Sequence, residues 1–152
     1  MLRTIRDFFD SRVAGSSSDG DTQHRLRIAT AALIVEVMRL DGIDAAERDA
    51  VLRAIRDKFA LTDDEAQGLV ELGELEAGAA VGYYQFTSLI NEHFDIARKE
   101  RIVQIMWEVA YADATLSAHE LHVIRKLADL LRVPHASYIA AKLRARDRMN
   151  QH

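Results

Sequence analysis

The stretch "RLDGIDAAE", Arg39–Glu47, decides how the chain is organised, because "YADATLSAHE", Tyr111–Glu120, is a near copy of it. Each stretch follows an apolar run that carries a Glu five residues before its Asp, in "EVMRLD" and "EVAYAD". Each also leads into another apolar run of helical period. The chain therefore contains the same pattern twice: a helix, a short acidic turn and a second helix. We call the two turns, Asp41–Glu47 and Asp113–Glu120, the acidic corners. The repeat predicts two pseudo-symmetric helical hairpins.

Helical periodicity extends from Thr22 nearly to the C-terminus, and no segment shows the alternation typical of a strand. "TDDE", Thr62–Glu65, has the form of a capping box that starts a helix, and Pro134 separates the last two helical runs. We therefore predict an all-α, single-domain bundle of about seven helices. We place this domain at residues 22–148 and a short tail at 149–152.

Residues 1–21 are expected to form a separate segment. "MLRTIRDFFDSRV" spaces its apolar residues as in an amphipathic helix. "AGSSSDGD", Ala14–Asp21, is small and polar, which is typical of a flexible linker. The helix is free to dock on its own domain, on a partner or on a membrane surface, or to stay disordered.

The composition narrows the classes of function. The 152 residues are 49% hydrophobic and 29% charged, as in an ordinary globular domain. There is no cysteine, which excludes disulfides, thiolate nucleophiles and Cys-ligated zinc. The net charge of −4 argues against nucleic acid as a partner. Because there is no signal-peptide pattern and the longest apolar run, from Ile28, is too short to span a bilayer, we expect a cytoplasmic protein.

The corners admit two interpretations. "DAAE" from Asp44 and "SAHE" from Ser117 have the shape of capping boxes, which accounts for Glu47 and Glu120. Capping does not account for Asp41 and Asp113. Each follows a helix, where the negative end of the dipole makes a carboxylate cost about 0.3–1 kcal/mol.

A bound cation would reverse that cost. Carboxylates and free carbonyls in a short turn suit Ca²⁺ or Mg²⁺, and His119 with His122, three residues apart, would suit Zn²⁺. The alternative is that Asp41 and Asp113 each cap their own turn by hydrogen bonding to the backbone. The spacing does not decide between them, and a shared site requires the two aspartates to approach each other.

Catalytic patterns are missing from the sequence. There is no nucleophile elbow, no phosphate-binding glycine loop and no His-Glu-x-x-His, since "HELH" spaces its histidines too closely. A surface position is expected for His93 and a core position for Trp107. We therefore predict that the protein is not an enzyme.

Four stretches carry a resemblance to a known family: "MRLDGIDAAE", "LINEHFD", "RIVQIMWEVAYADATLSAHELHVIRKLADLLRV" and "YIAAKLRARD". Over Arg25–Arg146 the chain resembles the TerB-type tellurite-resistance domain, which is also similar to the N-terminal region of DjlA-like co-chaperones. The resemblance implies seven helices in two related halves and a divalent-metal site made of acidic residues. The matching positions are Asp41, Glu47, Asp113 and Glu120. Ala114 and Ser117 depart from the pattern, which weakens the second half-site.

The resemblance implies a non-enzymatic module for tellurite and chemical-stress resistance that binds a divalent metal ion, Ca²⁺, Mg²⁺ or Zn²⁺, at its acidic corners. It also implies a protein partner, with membrane-associated proteins among the candidates. The alternative is a metal-free interaction or homodimerisation module in which the corners are only helix caps. The N-terminal helix or an apolar surface would then carry the function.

Overall fold

The computed structural model describes residues 4–14, 19–40, 53–77, 84–112 and 118–150. Within these ranges every regular element is helical and no strand occurs, which confirms the all-α prediction. A short α1, Ile5–Phe8, continues as a π-helical turn, Phe9–Val13. The others are α2 (Asp19–Leu40), α3 (described over 53–58), α4 (Asp63–Ala77), α5 (Gln85–His93), α6 (Ile96–Ala112), α7 (Ala118–Leu130) and α8 (His135–Asn150).

The seven elements α2 to α8 correspond to the seven helices expected from the sequence, and the main difference lies in a boundary. The apolar pattern predicts the first long helix from Arg25, whereas α2 begins at Asp19. The helix therefore includes three residues that their polarity had assigned to the linker, Asp19 to Asp21.

The chain divides into two compact units, Met1–Leu89 and Ile90–His152. In the first unit, α2 packs against α4 and against the π-helical turn. The interior face of α2 is a run of buried apolar residues, and α4 contributes Leu69 and Leu72, which are fully buried. From α2 this core takes Leu26, Ile28, Ala29, Ala31, Ala32, Leu33, Val35 and Val37.

The N-terminal segment belongs to the core of this first unit. Thr4 and Asp7 form a capping box, with Asp7 N–H donating to Thr4 Oγ1 at 2.9 Å and Thr4 N–H to Asp7 Oδ2 at 3.1 Å. Phe8 is fully buried, and its ring meets the Phe86 ring edge-on at 5.6 Å. Arg25 donates to the Ala14 carbonyl at 2.8 Å. Of the alternatives for this segment, the structure shows docking on its own chain.

In the second unit, α8 packs along α6, and α7 covers a smaller part of the same helix. Trp107 of α6 is 1% exposed and has Tyr138 edge-on at 5.8 Å, with the Lys142 ammonium 5.0 Å from its ring centre. The prediction that Trp107 is a core residue is thus confirmed. α7 is followed by Arg132 in the left-handed region, at φ 59°, and the Val133 N–H donates to the Ala128 carbonyl at 3.0 Å. The chain then continues to Pro134, directly before the start of α8.

None of the described helices combines the length with the apolar character that crossing a membrane would require.

We predict that Phe8→Ala lowers the free energy of unfolding by about 3–5 kcal/mol, because it removes a fully buried ring and leaves a cavity. Urea denaturation followed by circular dichroism measures the change. Arg6→Ala is the matched control on the same helical turn, since Arg6 is exposed, and it should change stability by less than about 1 kcal/mol. A loss below 1 kcal/mol for Phe8→Ala would contradict docking of the segment.

Candidate functional site

Three of the four predicted metal ligands, Asp41, Glu47 and Asp113, lie outside the described residues. The helices that lead to the two aspartates are described up to the residues directly before them. α2 reaches Leu40 and α6 reaches Ala112. The last carbonyl groups of a helix have no partner within it. Both aspartates therefore directly follow the last described residue of a helix, as the repeat predicts.

Glu120 is the third residue of α7, and its side chain lies outside the description. The residue directly before this helix is Ser117. A capping box needs its Ser and its Glu at these relative positions, because the Glu must reach back to the N–H at the start of the helix. The backbone of α7 is thus compatible with the capping interpretation of the second corner.

Capping of this kind occurs at other helix starts in the chain. Thr62 and Glu65 form the capping box that the sequence predicts before α4. Thr62 N–H donates to Glu65 Oε1 at 2.8 Å, and Glu65 N–H donates to Thr62 Oγ1 at 3.1 Å. At α6, Arg98 N–H donates to Asp95 Oδ1 at 2.9 Å. Carboxylates at helix N-termini are therefore a repeated structural device in this protein.

Carboxylates near helix C-termini also occur away from the corners. Glu74 stands in the last turn of α4 and Asp129 in the last turn of α7, and both are exposed. Water lowers the cost of such a placement, so an acid at a C-terminus does not by itself require a cation. The special feature of Asp41 and Asp113 is that the same corner occurs twice.

In the described part of the chain, no three side chains of the His, Asp and Glu types come together as a metal-binding group. His93 is exposed at the end of α5, as the sequence predicts, and lies 3.8 Å from the Glu92 carboxylate. His122 is exposed on α7. The side chain of His119, its proposed companion for Zn²⁺, lies outside the description.

Among the described residues near the corners, Glu36, five residues before Asp41, has a fully buried carboxylate. Glu36 is fully buried on α2, and both of its oxygens accept hydrogen bonds from the start of α5. Phe86 N–H donates to Oε2 at 2.8 Å, and Thr87 N–H donates to Oε1 at 3.0 Å. The Thr87 hydroxyl also donates to Oε1, at 2.6 Å. A residue from one helix thus caps another helix fifty positions further along the chain.

The corresponding residue in the second copy, Glu108, makes different contacts. Its side chain is 18% exposed on α6 and accepts from Gln104 at 3.1 Å and from Arg148 at 3.2 Å. Arg144 donates to Gln104 Oε1 at 3.0 Å. These contacts form a ladder of polar groups between α6 and α8. The two copies therefore share a sequence pattern, but their glutamates stabilise different neighbours.

The sequence alone did not assign this role to Glu36. Spacing shows only that it interrupts an apolar run and that it lies on a different side of the helix from Asp41. A lone carboxylate within a buried apolar face is itself a signal, because burying a charge is costly unless charged or polar groups satisfy it. The partner could not be read from the sequence, since Phe86 and Thr87 are apolar or uncharged and donate mainly through their backbone.

Glu65 has a second contact besides its capping box. His24 Nε2 of α2 lies 2.6 Å from Glu65 Oε2, which ties α2 to the start of α4. Burial opposes the charged form of Glu65, but the hydrogen bonds from Thr62 and His24 and the charge of His24 outweigh it. Together they hold the pKa of Glu65 below its ordinary value of 4.5.

These observations define the class of protein: an all-α chain of two helical units with a repeated acidic corner. Residues 27–143, well over half of the chain, match the family described as Tellurite resistance protein TerB, so the chain belongs to the TerB family. This confirms the resemblance inferred from the acidic corners and the stretches around them. No curated protein and no solved structure matches the chain significantly.

We predict that Glu36→Gln lowers the free energy of unfolding by about 2–3 kcal/mol, because an amide cannot accept through both of its end atoms and leaves a buried N–H without a partner. Glu108→Gln is the matched control at the equivalent position of the second copy. Its partners are partly exposed, so we expect a loss below about 1 kcal/mol. Urea denaturation of both variants measures the difference, and equal losses would contradict the capping role of Glu36.

We predict that Glu65→Gln makes the protein less stable at neutral pH and less sensitive to acid. A carboxyl whose pKa is lowered on folding contributes stability above its unfolded value, and this contribution disappears as the pH falls below 4.5. The stability gap between wild type and variant should therefore shrink between pH 7 and about pH 3 in urea denaturation. Glu74→Gln, on the exposed side of the same helix, should show no such gap. A stability gap that stays constant with pH would contradict this contribution of the Glu65 carboxylate.

Proposed function

We propose that this TerB-family chain is a non-enzymatic module of tellurite and chemical-stress resistance that binds a divalent cation. Its ligands are Asp41 and Glu47 of the first corner with Asp113 and Glu120 of the second. The support comes from family membership and from the repeat of the corner in sequence. The observation that carries the proposal is that α2 and α6 extend to the residues directly before Asp41 and Asp113.

Physical chemistry favours a hard ion at such a place. The ends of α2 and α6 supply carbonyl oxygens, the aspartates supply carboxylates, and both are the ligands that Ca²⁺ and Mg²⁺ take. A cation there offsets the repulsion between each aspartate and the negative end of its helix. Because Ala114 stands where the family pattern has Gly and Ser117 where it often has an acidic residue, we expect one asymmetric site rather than two equal ones. Zn²⁺ is a weaker candidate, since it prefers nitrogen and sulfur ligands.

The second candidate is a metal-free interaction module. It is favoured by the position of Glu120 in the first turn of α7, where a capping box with Ser117 would use its carboxylate. In this case the corners only terminate helices. The function would then lie in contacts with a protein partner, a membrane-associated one among the candidates, or with a second copy of the chain. Under both candidates we place the protein in the cytoplasm.

Isothermal titration calorimetry with Ca²⁺, Mg²⁺, Mn²⁺ and Zn²⁺ separates the two candidates. The proposal predicts saturable heat in the wild type for at least one ion, and its loss in Asp41→Asn/Asp113→Asn. The substitution keeps the size of each side chain and removes only its charge. The matched control is Asp63→Asn/Asp129→Asn, which removes two exposed carboxylates elsewhere and should bind as the wild type does.

Flat traces for all four ions in the wild type would contradict the metal-binding proposal. Binding that survives in Asp41→Asn/Asp113→Asn would also contradict it, because the ion would then lie elsewhere. Circular dichroism of the double variant distinguishes lost ligands from lost fold, since the proposal predicts an unchanged helical spectrum.

A further inference from the structure

A buried lysine stands in the first turn of α6, within the second unit. Lys99 is the fourth residue of this helix and is 8% exposed. Burying a cation is costly unless an acceptor or an opposite charge accompanies it. In the part of the chain that the structure describes, the Lys99 side chain has neither a hydrogen bond nor an ion pair. The described residues therefore do not supply the partner that a buried cation needs.

A second cation, Arg132, acts on Lys99. Arg132 lies two residues after the end of α7, is exposed, and forms no ion pair with a carboxylate of the described residues. Burial and the charge of Arg132 together hold the pKa of Lys99 below its ordinary value of 10.5. Both effects disfavour the charged form of the lysine. An anion bound to the two side chains would offset both effects, because it attracts each cation.

A buried amide oxygen at the same end of α7 also lacks a partner. Asn91 Nδ2 donates to the Leu130 carbonyl at 3.0 Å. This bond fixes the orientation of the amide, because two oxygens facing each other could not form a hydrogen bond. Asn91 Oδ1 is buried and accepts no hydrogen bond from the described residues. Buried acceptors are rarely left unpaired, so this oxygen needs an N–H or O–H donor.

We propose that Lys99, Arg132 and Asn91 bind a small oxyanion that carries a hydroxyl group, with inorganic phosphate as its simplest probe. The charged oxygens of the anion accept hydrogen bonds from the Lys99 ammonium and the Arg132 guanidinium. The hydroxyl group of the anion donates to Asn91 Oδ1. Because Lys99 is 8% exposed, the site admits a small ion rather than a large ligand.

The site is independent of the proposed cation site. Lys99 lies thirteen residues before Ala112, the last described residue of α6, which is about 20 Å along the helix axis. The backbone at Arg132 is held in place by a hydrogen bond from its N–H to the Asp129 carbonyl at 3.0 Å. The oxyanion therefore binds at the opposite end of α6 from the second acidic corner, and its binding does not require a metal ion.

Titration of the full chain with sodium phosphate, followed in amide nitrogen–proton spectra, tests the proposal. EDTA in the buffer keeps divalent cations off the protein, and sodium chloride holds the ionic strength constant. We expect saturable shifts of the signals of Asn91, Lys99 and Arg132.

Three further anions test the need for a hydroxyl group. Sulfate and acetate carry none. Methyl phosphate at about pH 7.5 also carries almost none, because the second pKa of a phosphate ester is about 6. Each should bind at least about tenfold more weakly than phosphate.

Two variants locate the site. Lys99→Met keeps a long apolar side chain in the buried position and removes the charge. Arg132→Gly removes the guanidinium at a backbone φ of 59°, which glycine adopts readily. Each should weaken phosphate binding at least about tenfold, with thermal unfolding in phosphate-free buffer nearly unchanged. Arg125→Gln is the matched control, because it removes an exposed arginine of α7 and should bind phosphate as the wild type does.

Four outcomes would overturn the proposal. The absence of saturable shifts with phosphate would mean that water alone satisfies Lys99 and Asn91. Binding of sulfate, acetate or methyl phosphate as tight as that of phosphate would remove the need for a hydroxyl group, and would assign the site to that other class of anion. Unchanged phosphate binding in Lys99→Met or in Arg132→Gly would place the ion elsewhere. Equal weakening in Arg125→Gln would mean general attraction to positive charge.

Discussion

The buried carboxylate of Glu36 is the interaction on which the first unit depends. A helix begins with backbone N–H groups that have no partner inside the helix, and burying them unpaired costs free energy. Glu36 accepts from two of these groups at the start of α5 and from the Thr87 hydroxyl. These three hydrogen bonds satisfy both oxygens of the buried side chain. One side chain on α2 thereby fixes where α5 starts and places Phe86 against Phe8.

Carboxylates also pair with helix ends elsewhere in the described chain, and these cases help to interpret the acidic corners. Asp7, Glu65 and Asp95 each accept from the start of a helix, which is the favourable end. Asp41 and Asp113 follow α2 and α6 at the unfavourable end. Exposed acids such as Glu74 show that water can solvate such a placement. The recurrence of the corner and the family membership therefore support a cation more strongly than the helix dipole does.

The sequence was sufficient for the parts of the fold that depend on local patterns. Apolar periodicity predicted the helices, the Thr62–Glu65 box predicted the start of α4, and the repeated corner led to the TerB family. Contacts between distant residues were not predictable in this way. The docking of Phe8 and the bond from Phe86 to Glu36 join positions far apart in the chain, and periodicity gives no pairing between helices. The sequence also did not reveal that Glu36 and Glu108 contact different groups, because their local sequences are alike.

A cation held by the two acidic corners is the central functional claim, and paramagnetic broadening by Mn²⁺ tests it at individual residues. In an amide nitrogen–proton spectrum of the full chain, substoichiometric Mn²⁺ should first broaden the amide signals at the ends of α2 and α6, around Leu40 and Ala112. The signals at the start of α6, around Ile96, should remain sharp, because that end lies about 24 Å along the helix from Ala112. Broadening confined to other carboxylates, such as Asp63 and Asp64 at the start of α4, or no selective broadening at all, would contradict the claim.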